Sequence, residues 1–169
     1  QRAGLEPEDI DVTDLTDSVD GYIVPRQMTA RAAIEPLQQA FFFDAVESDD
    51  KVKFVKRGKS SATLIPIEDR AAHEQSQELP DALTVTRAFE LELPVQCDIT
   101  YPDIEADHLI GNQSDRRITK DPRHNLSLQM PVVMTAERAK AVARTLLYEA
   151  WQNQSFRFTT TRKYAHLEP

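Results

Sequence analysis

Apolar residues recur at helical spacing between residues 30 and 41, where Ala30, Ala33, Ile34, Leu37 and Phe41 fall on one face. Thr29 precedes them with a side-chain oxygen suited to the first unpaired N–H groups, so a helix is predicted from there. Pro36 lies inside the pattern and is expected to kink it, because proline removes one backbone donor and crowds the preceding turn. Around this helix the pattern changes to short β-like runs. Tyr22-Ile23-Val24 predicts a short strand, and Phe42 to Val46 and Val52 to Val55 predict a hairpin about the turn Glu47-Ser48-Asp49-Asp50. A turn at Arg57-Gly58 leads to a further strand from Ala62 to Ile67, which completes a β-α-β-β unit.

The second half alternates with period two. Leu83, Val85, Phe89, Leu91 and Leu93 point one way, Pro94 interrupts, and Val95, Cys97, Ile99 and Tyr101 resume the alternation. A polar excursion from Pro102 to Arg123 reads as a long connection. Leu126, Leu128, Met130 and Val132 then predict another strand. Thr135 caps a helix that buries Ala139, Val142, Ala143, Leu146, Leu147 and Ala150 and ends at Trp151, which is expected to be largely buried. Phe156 to Thr161 supplies a last alternating strand. The expected fold is α+β: a β-α-β-β subdomain over residues 1–67 with an acidic lead, a polar connector over 68–82, and a strand-rich, barrel-like subdomain over 83–169 closed by one long helix, 136–151.

Composition narrows the functions this fold could carry. With 169 residues, 40% of them hydrophobic and 28% charged, the chain can build an ordinary core. No apolar run approaches the roughly 20 residues of a membrane span, and no charged-then-apolar leader opens the chain. The net charge is −8, and Glu6, Glu8, Asp9, Asp11, Asp14, Asp17 and Asp20 crowd the start, which disfavours nucleic acid on a basic face. Cys97 is the single cysteine, so an intrachain disulfide and a multi-thiolate zinc site are excluded, and a reducing cytoplasm suits the chain. The ends read as interior points of a longer polypeptide. Arg2-Ala3-Gly4-Leu5 looks like the close of an upstream helix, and the strand-like stretch from Ser155 to Tyr164 runs into Leu167-Glu168-Pro169 without a cap.

The chemical candidates are few. Asp103, Glu105, Asp107 and His108 begin like a calcium loop, but the sixth position is His108 instead of glycine and the twelfth is Ser114 instead of a carboxylate. Cys97 with His108 or His124 suggests a thiol nucleophile, yet its strand phase makes it core packing. His73 and His166 have no companions at ligand spacing, and Glu90 and Glu92 read as two like charges on the outer face of a strand. Lys56-Arg57 and Arg116-Arg117 read as solvated turns. No catalytic, cofactor-binding or metal residue is predicted, and the chain is expected not to be an enzyme.

Several runs together resemble a known family. They are Val19-Asp20-Gly21-Tyr22-Ile23-Val24, Met28 to Leu37, Ala40 to Ser48, Lys53 to Gly58, Glu92-Leu93-Pro94 before the strand ending at Tyr101, Leu146 to Trp151, and Leu167-Glu168-Pro169. In that order they resemble an internal domain of the tail hub, or tip-attachment and host-specificity, proteins of phages and gene transfer agents. Asp103 to Arg117 has no counterpart in that pattern. The resemblance implies a structural hub domain in a phage-like tail, with copies of itself and other tail-tip or baseplate proteins as partners, a host receptor as a further one, and no cofactor. The rival expectation is a carbohydrate- or receptor-binding module, for which only Tyr22, Tyr164 and Tyr148 could serve as exposed aromatics.

Overall fold

The computed structural model describes residues 6–48, 50–58, 63–72, 81–119, 124–152, 154–165 and 167. The fold is α+β, with two α-helices and three small sheets among these residues. The chain groups into two compact units that interleave along the sequence, one formed by residues 1–57 and 90–152 and the other by 58–89 and 153–169.

In the first unit, strand β1 (Ile10–Asp11) pairs in parallel with one arm of a hairpin whose strands are β2 (Phe43–Ser48) and β3 (Lys51–Lys56). Between them runs helix α1 (Ala30–Phe41), capped by the Thr29 side chain, which accepts from the Ala32 N–H. The helix continues through Pro36 and stops at Phe42, whose φ of 54° puts it in the left-handed region. Strand β4 (Thr84–Arg87) belongs to the second unit.

The main sheet has the order β6-β5-β7, built from β5 (Gln96–Pro102), β6 (Ile110–Arg116) and β7 (Asn125–Gln129). β5 pairs antiparallel with β6 and parallel with β7. Helix α2 (Ala136–Ala150) lies across β5 and β6. Cys97, Ile99 and Tyr101 alternate inward, and their cross-strand partners on β6 are Asp115, Gln113 and Gly111. With Ala40, Phe41, Phe43, Met130, Val132, Met134, Ala139, Val142, Ala143 and Leu147 they form one buried core. A fully buried aliphatic side chain contributes roughly 1.5–3 kcal/mol, so this cluster holds the unit together.

The second unit contains β4 and β8 (Gln154–Arg157), paired antiparallel with Val85 opposite Phe156. Every residue of both strands is exposed. Its best-fixed point is Tyr164, buried and donating its hydroxyl to Asp69, while Arg70 stacks 5.5 Å over the Phe158 ring.

Several expectations are corrected. No sheet closes into a barrel among the described residues, because the strands are short and divide among three separate sheets. Tyr22 makes only an isolated bridge to Val132. The described part of the Ala62–Ile67 run is irregular and ends in a 3-10 turn at Ile67–Asp69. Alternation beyond Arg87 fails: Glu90–Glu92 form a 3-10 turn and leave Phe89 and Leu91 exposed. The excursion from Pro102 is a compact turn followed by β6, hidden from hydropathy because its inward positions are Gly111, Gln113 and Asp115. Arg2 to Leu5, His73, Pro80, His166, Glu168 and Pro169 lie outside the described residues.

Candidate functional site

Two features of the first unit present chemistry to the outside. One is a cleft of about 570 Å³ beside the main sheet, walled by Tyr22, Ile23, Pro25, Met28, Pro36 and Pro131 and floored by Tyr101 and Met130. Its geometry follows from close packing. A Cβ on Gly21 would lie 2.8 Å from Cγ2 of Val133, so only glycine lets this segment run against Val133, whose N–H donates to the Gly21 carbonyl at 2.8 Å. Tyr22 then donates its hydroxyl to the Ala33 carbonyl at 2.6 Å, which fixes the segment on α1. Arg26, Thr100, His108 and Gln129 join the two tyrosines as the polar members of the lining. Burial, followed by the charge of Asp103, raises the pKa of the Tyr101 phenol, whose hydroxyl points at the Asp103 carboxylate at 3.4 Å. Such a cleft can hold an apolar or aromatic group; nothing in its lining forms a nucleophile–base pair.

The second feature is a cluster of cations on aromatic rings at the C-terminal end of α2. Arg117 lies 4.2 Å above the Trp151 ring and 5.7 Å from that of Tyr148, and Arg144 also lies 5.7 Å from the Tyr148 ring. The Trp151 indole is itself held by a 2.8 Å hydrogen bond to the Pro94 carbonyl. Lys140, Arg144 and Tyr148 follow one another at four-residue spacing and are all exposed. Among the described residues none of Arg116, Arg117, Lys140 or Arg144 makes an ion pair.

The family profile described as "Putative phage tail protein" matches residues 29–169. The chain belongs to this phage tail protein family. No curated protein matches it significantly. Among solved structures, a chain from the virion of a native gene transfer agent particle is similar over 98% of this tail-protein chain, with a TM-score of 0.86 and 24% identity, which is a likeness of fold. The tail-protein chain spans 37% of the length of that one.

On this tail-protein fold the residues singled out by sequence are scattered. Asp103 orders the β5–β6 turn: its Oδ1 accepts from the Glu105 N–H at 2.9 Å and its carbonyl from the His108 N–H at 2.8 Å. Asp107 and His108 adopt φ of 50° and 64°, so the carboxylates serve a tight turn. No group of three metal-ligating side chains occurs among the described residues. Cys97 is fully buried while His108 and His124 are exposed, and burial, with Asp98 and Asp115 adding to it, pushes the thiol up to about 11.

The basic pairs depart from the solvated-turn reading. Lys56 bonds Asp17, and Arg57 makes a bidentate contact with Asp44 (2.7 and 2.8 Å) and a 3.3 Å bond to Glu149. Arg117 is the stacking cation just described. Of the three tyrosines weighed as binding aromatics, Tyr164 is buried, Tyr22 is tied to Ala33, and only Tyr148 is exposed. Sequence reasoning missed the Arg117–Trp151 stack, since the two residues are distant in sequence and no spacing rule joins them. Among the described residues, no helix is long and apolar enough to cross a membrane.

Proposed function

We propose that this phage tail protein domain is a structural segment of a tail-tip or baseplate hub, an internal part of a longer tail protein that repeats around the tail axis. The observation that carries this reading is the match of nearly the whole fold to about a third of a gene transfer agent virion chain. Family membership accords with a positional role. Its partners are then copies of itself and adjoining tail proteins, in a particle tail assembled from proteins made in the bacterial cytoplasm.

The test is imaging of particles in which the parent protein carries a rigid tag within residues 58–89. Density repeated in a ring at the tail tip is expected. Density along the shaft, at the head, or as one asymmetric copy per tail would sink the hub reading. A receptor- or carbohydrate-binding role is the second reading, favoured by the cleft lined by Tyr22, Arg26, Met28 and His108. A glycan array probed with the chain separates the two: binding abolished by filling the cleft with Ala32→Trp supports the receptor role.

A further inference from the structure

The chain repels copies of itself through its net charge of −8, unless opposite charges are segregated and brought face to face. They are segregated. Residues 6–20 hold seven acids and no base, interspersed with the exposed apolar side chains of Ile10, Val12 and Val19. Within the molecule this segment is anchored by the pairing of β1 with β3 and by Asp17, which meets Lys56 and lies 4.0 Å from Arg138. Glu6, Glu8 and Asp20 are exposed and without an ion partner among the described residues. Elsewhere on the same unit stands the opposite surface: Arg117 and Arg144 on the rings of Trp151 and Tyr148, beside exposed Lys140 and Ile118, which is 101% exposed.

Arginine, tryptophan and tyrosine together are the residue types that dominate binding energy at protein interfaces. Guanidinium groups already held over aromatic rings lose little freedom when a carboxylate arrives, and they donate to its two oxygens through a rigid fork. The apolar residues between the acids match the rings and Ile118 between the cations. We propose that the Arg117–Trp151–Tyr148–Arg144 surface of one copy receives the acidic segment 6–20 of a second copy. Donor and receiver are different surfaces, so the contact is head-to-tail, and repetition generates a closed ring if the rotation per copy closes. The proposal rests on the ring reading above and names the surface that makes it. Because the pairs are solvent-exposed, each contact is weak alone. It becomes effective where the rest of the assembly holds copies at high local concentration.

Sedimentation equilibrium of the chain at low ionic strength, up to about 1 mM, tests this with two complementary defects. One variant silences the receiver (Arg117→Ala with Arg144→Ala); the other silences the donor (Glu6→Gln, Glu8→Gln and Asp20→Asn). The wild-type chain should associate weakly, and salt at about 0.5 M should abolish the association. Each variant alone should dissociate about tenfold more readily, and their equimolar mixture should form a 1:1 dimer that grows no further. Should Arg117→Ala disturb the fold seen by circular dichroism, Lys140→Ala with Arg144→Ala replaces it, since both side chains are exposed. A wild type monomeric throughout, variants that associate as it does, or a mixture without the dimer would overturn the proposal. If imaging nonetheless shows a ring, the surface assigned here is wrong and the hub reading stands; one copy per tail removes the hub reading itself.

Discussion

The indole N–H of Trp151 reaches the carbonyl of Pro94 at 2.8 Å and ties the end of α2 to the start of β5. The same ring carries Arg117 on its face, and Trp151 is half-buried instead of largely buried as its helical phase implied. Replacing it by phenylalanine keeps an aromatic face but leaves the Pro94 carbonyl, on a buried residue, without its donor. Trp151→Phe should lower stability by about 1–2 kcal/mol. Urea unfolding followed by circular dichroism measures this, and an unchanged midpoint would show that the hydrogen bond is not formed in solution.

Gly21 tests packing at the cleft. A methyl group there would sit 2.8 Å from Val133, a buried residue that cannot retreat without disturbing the core. Gly21→Ala is expected to cost about 1–3 kcal/mol by overpacking. The double variant Gly21→Ala/Val133→Ala should recover part of that loss, and thermal melts of the three proteins read the difference.

Cys97 should be chemically silent while the chain is folded. With the thiol pushed up to about 11, only about a thousandth is thiolate at pH 8, and burial blocks access to that fraction. Alkylation by iodoacetamide should therefore be negligible in buffer and complete in guanidinium. Rapid modification of the native chain would place Cys97 outside the core. Cys97→Ala should leave any activity of a preparation unchanged.

The Asp44–Arg57 pair gives a pH dependence of definite sign. The hydrogen bond from Arg57 holds the Asp44 carboxyl below its ordinary value. A carboxylate with a depressed folded-state pKa contributes stability that is present above about pH 4 and is lost as pH falls through the folded value. Asp44 is half exposed, so after solvent screening the contribution is under about 1 kcal/mol. Asp44→Asn should lower stability slightly at pH 7 and flatten its decline below pH 4. Equal acid limbs in the two proteins would contradict this.

Much of the fold is visible in the chain wherever burial is one-sided. The face of α1, the alternation Cys97-Ile99-Tyr101 and the cap at Thr135 each repeat a simple period and reappear in the structure. β6 is invisible for a physical reason: it is held by its ladder to β5 and turns Gly111, Gln113 and Asp115 inward, so hydropathy carries no signal. Gly111 is needed where a Cβ would come within 3.0 Å of the Tyr101 ring. The reverse error occurs at Phe89 and Leu91, apolar residues whose phase suggested a strand but which stand exposed around a 3-10 turn. The interacting surfaces were less legible still, because the Arg117 stack and the Arg57–Glu149 contact join residues 34 and 92 positions apart in sequence.

The first unit draws on residues 1–57 and 90–152, with a different unit spliced between them. On a ribosome, Ala40, Phe41 and Phe43 emerge well before Ile99, Met130 and Leu147, against which they are finally packed. At roughly 5–20 residues per second the early half waits several seconds with its apolar face unpaired. A nascent tail protein of this design is expected to offer that face to holdase chaperones in the interval, so slower translation across residues 58–152 should lower the yield of folded protein.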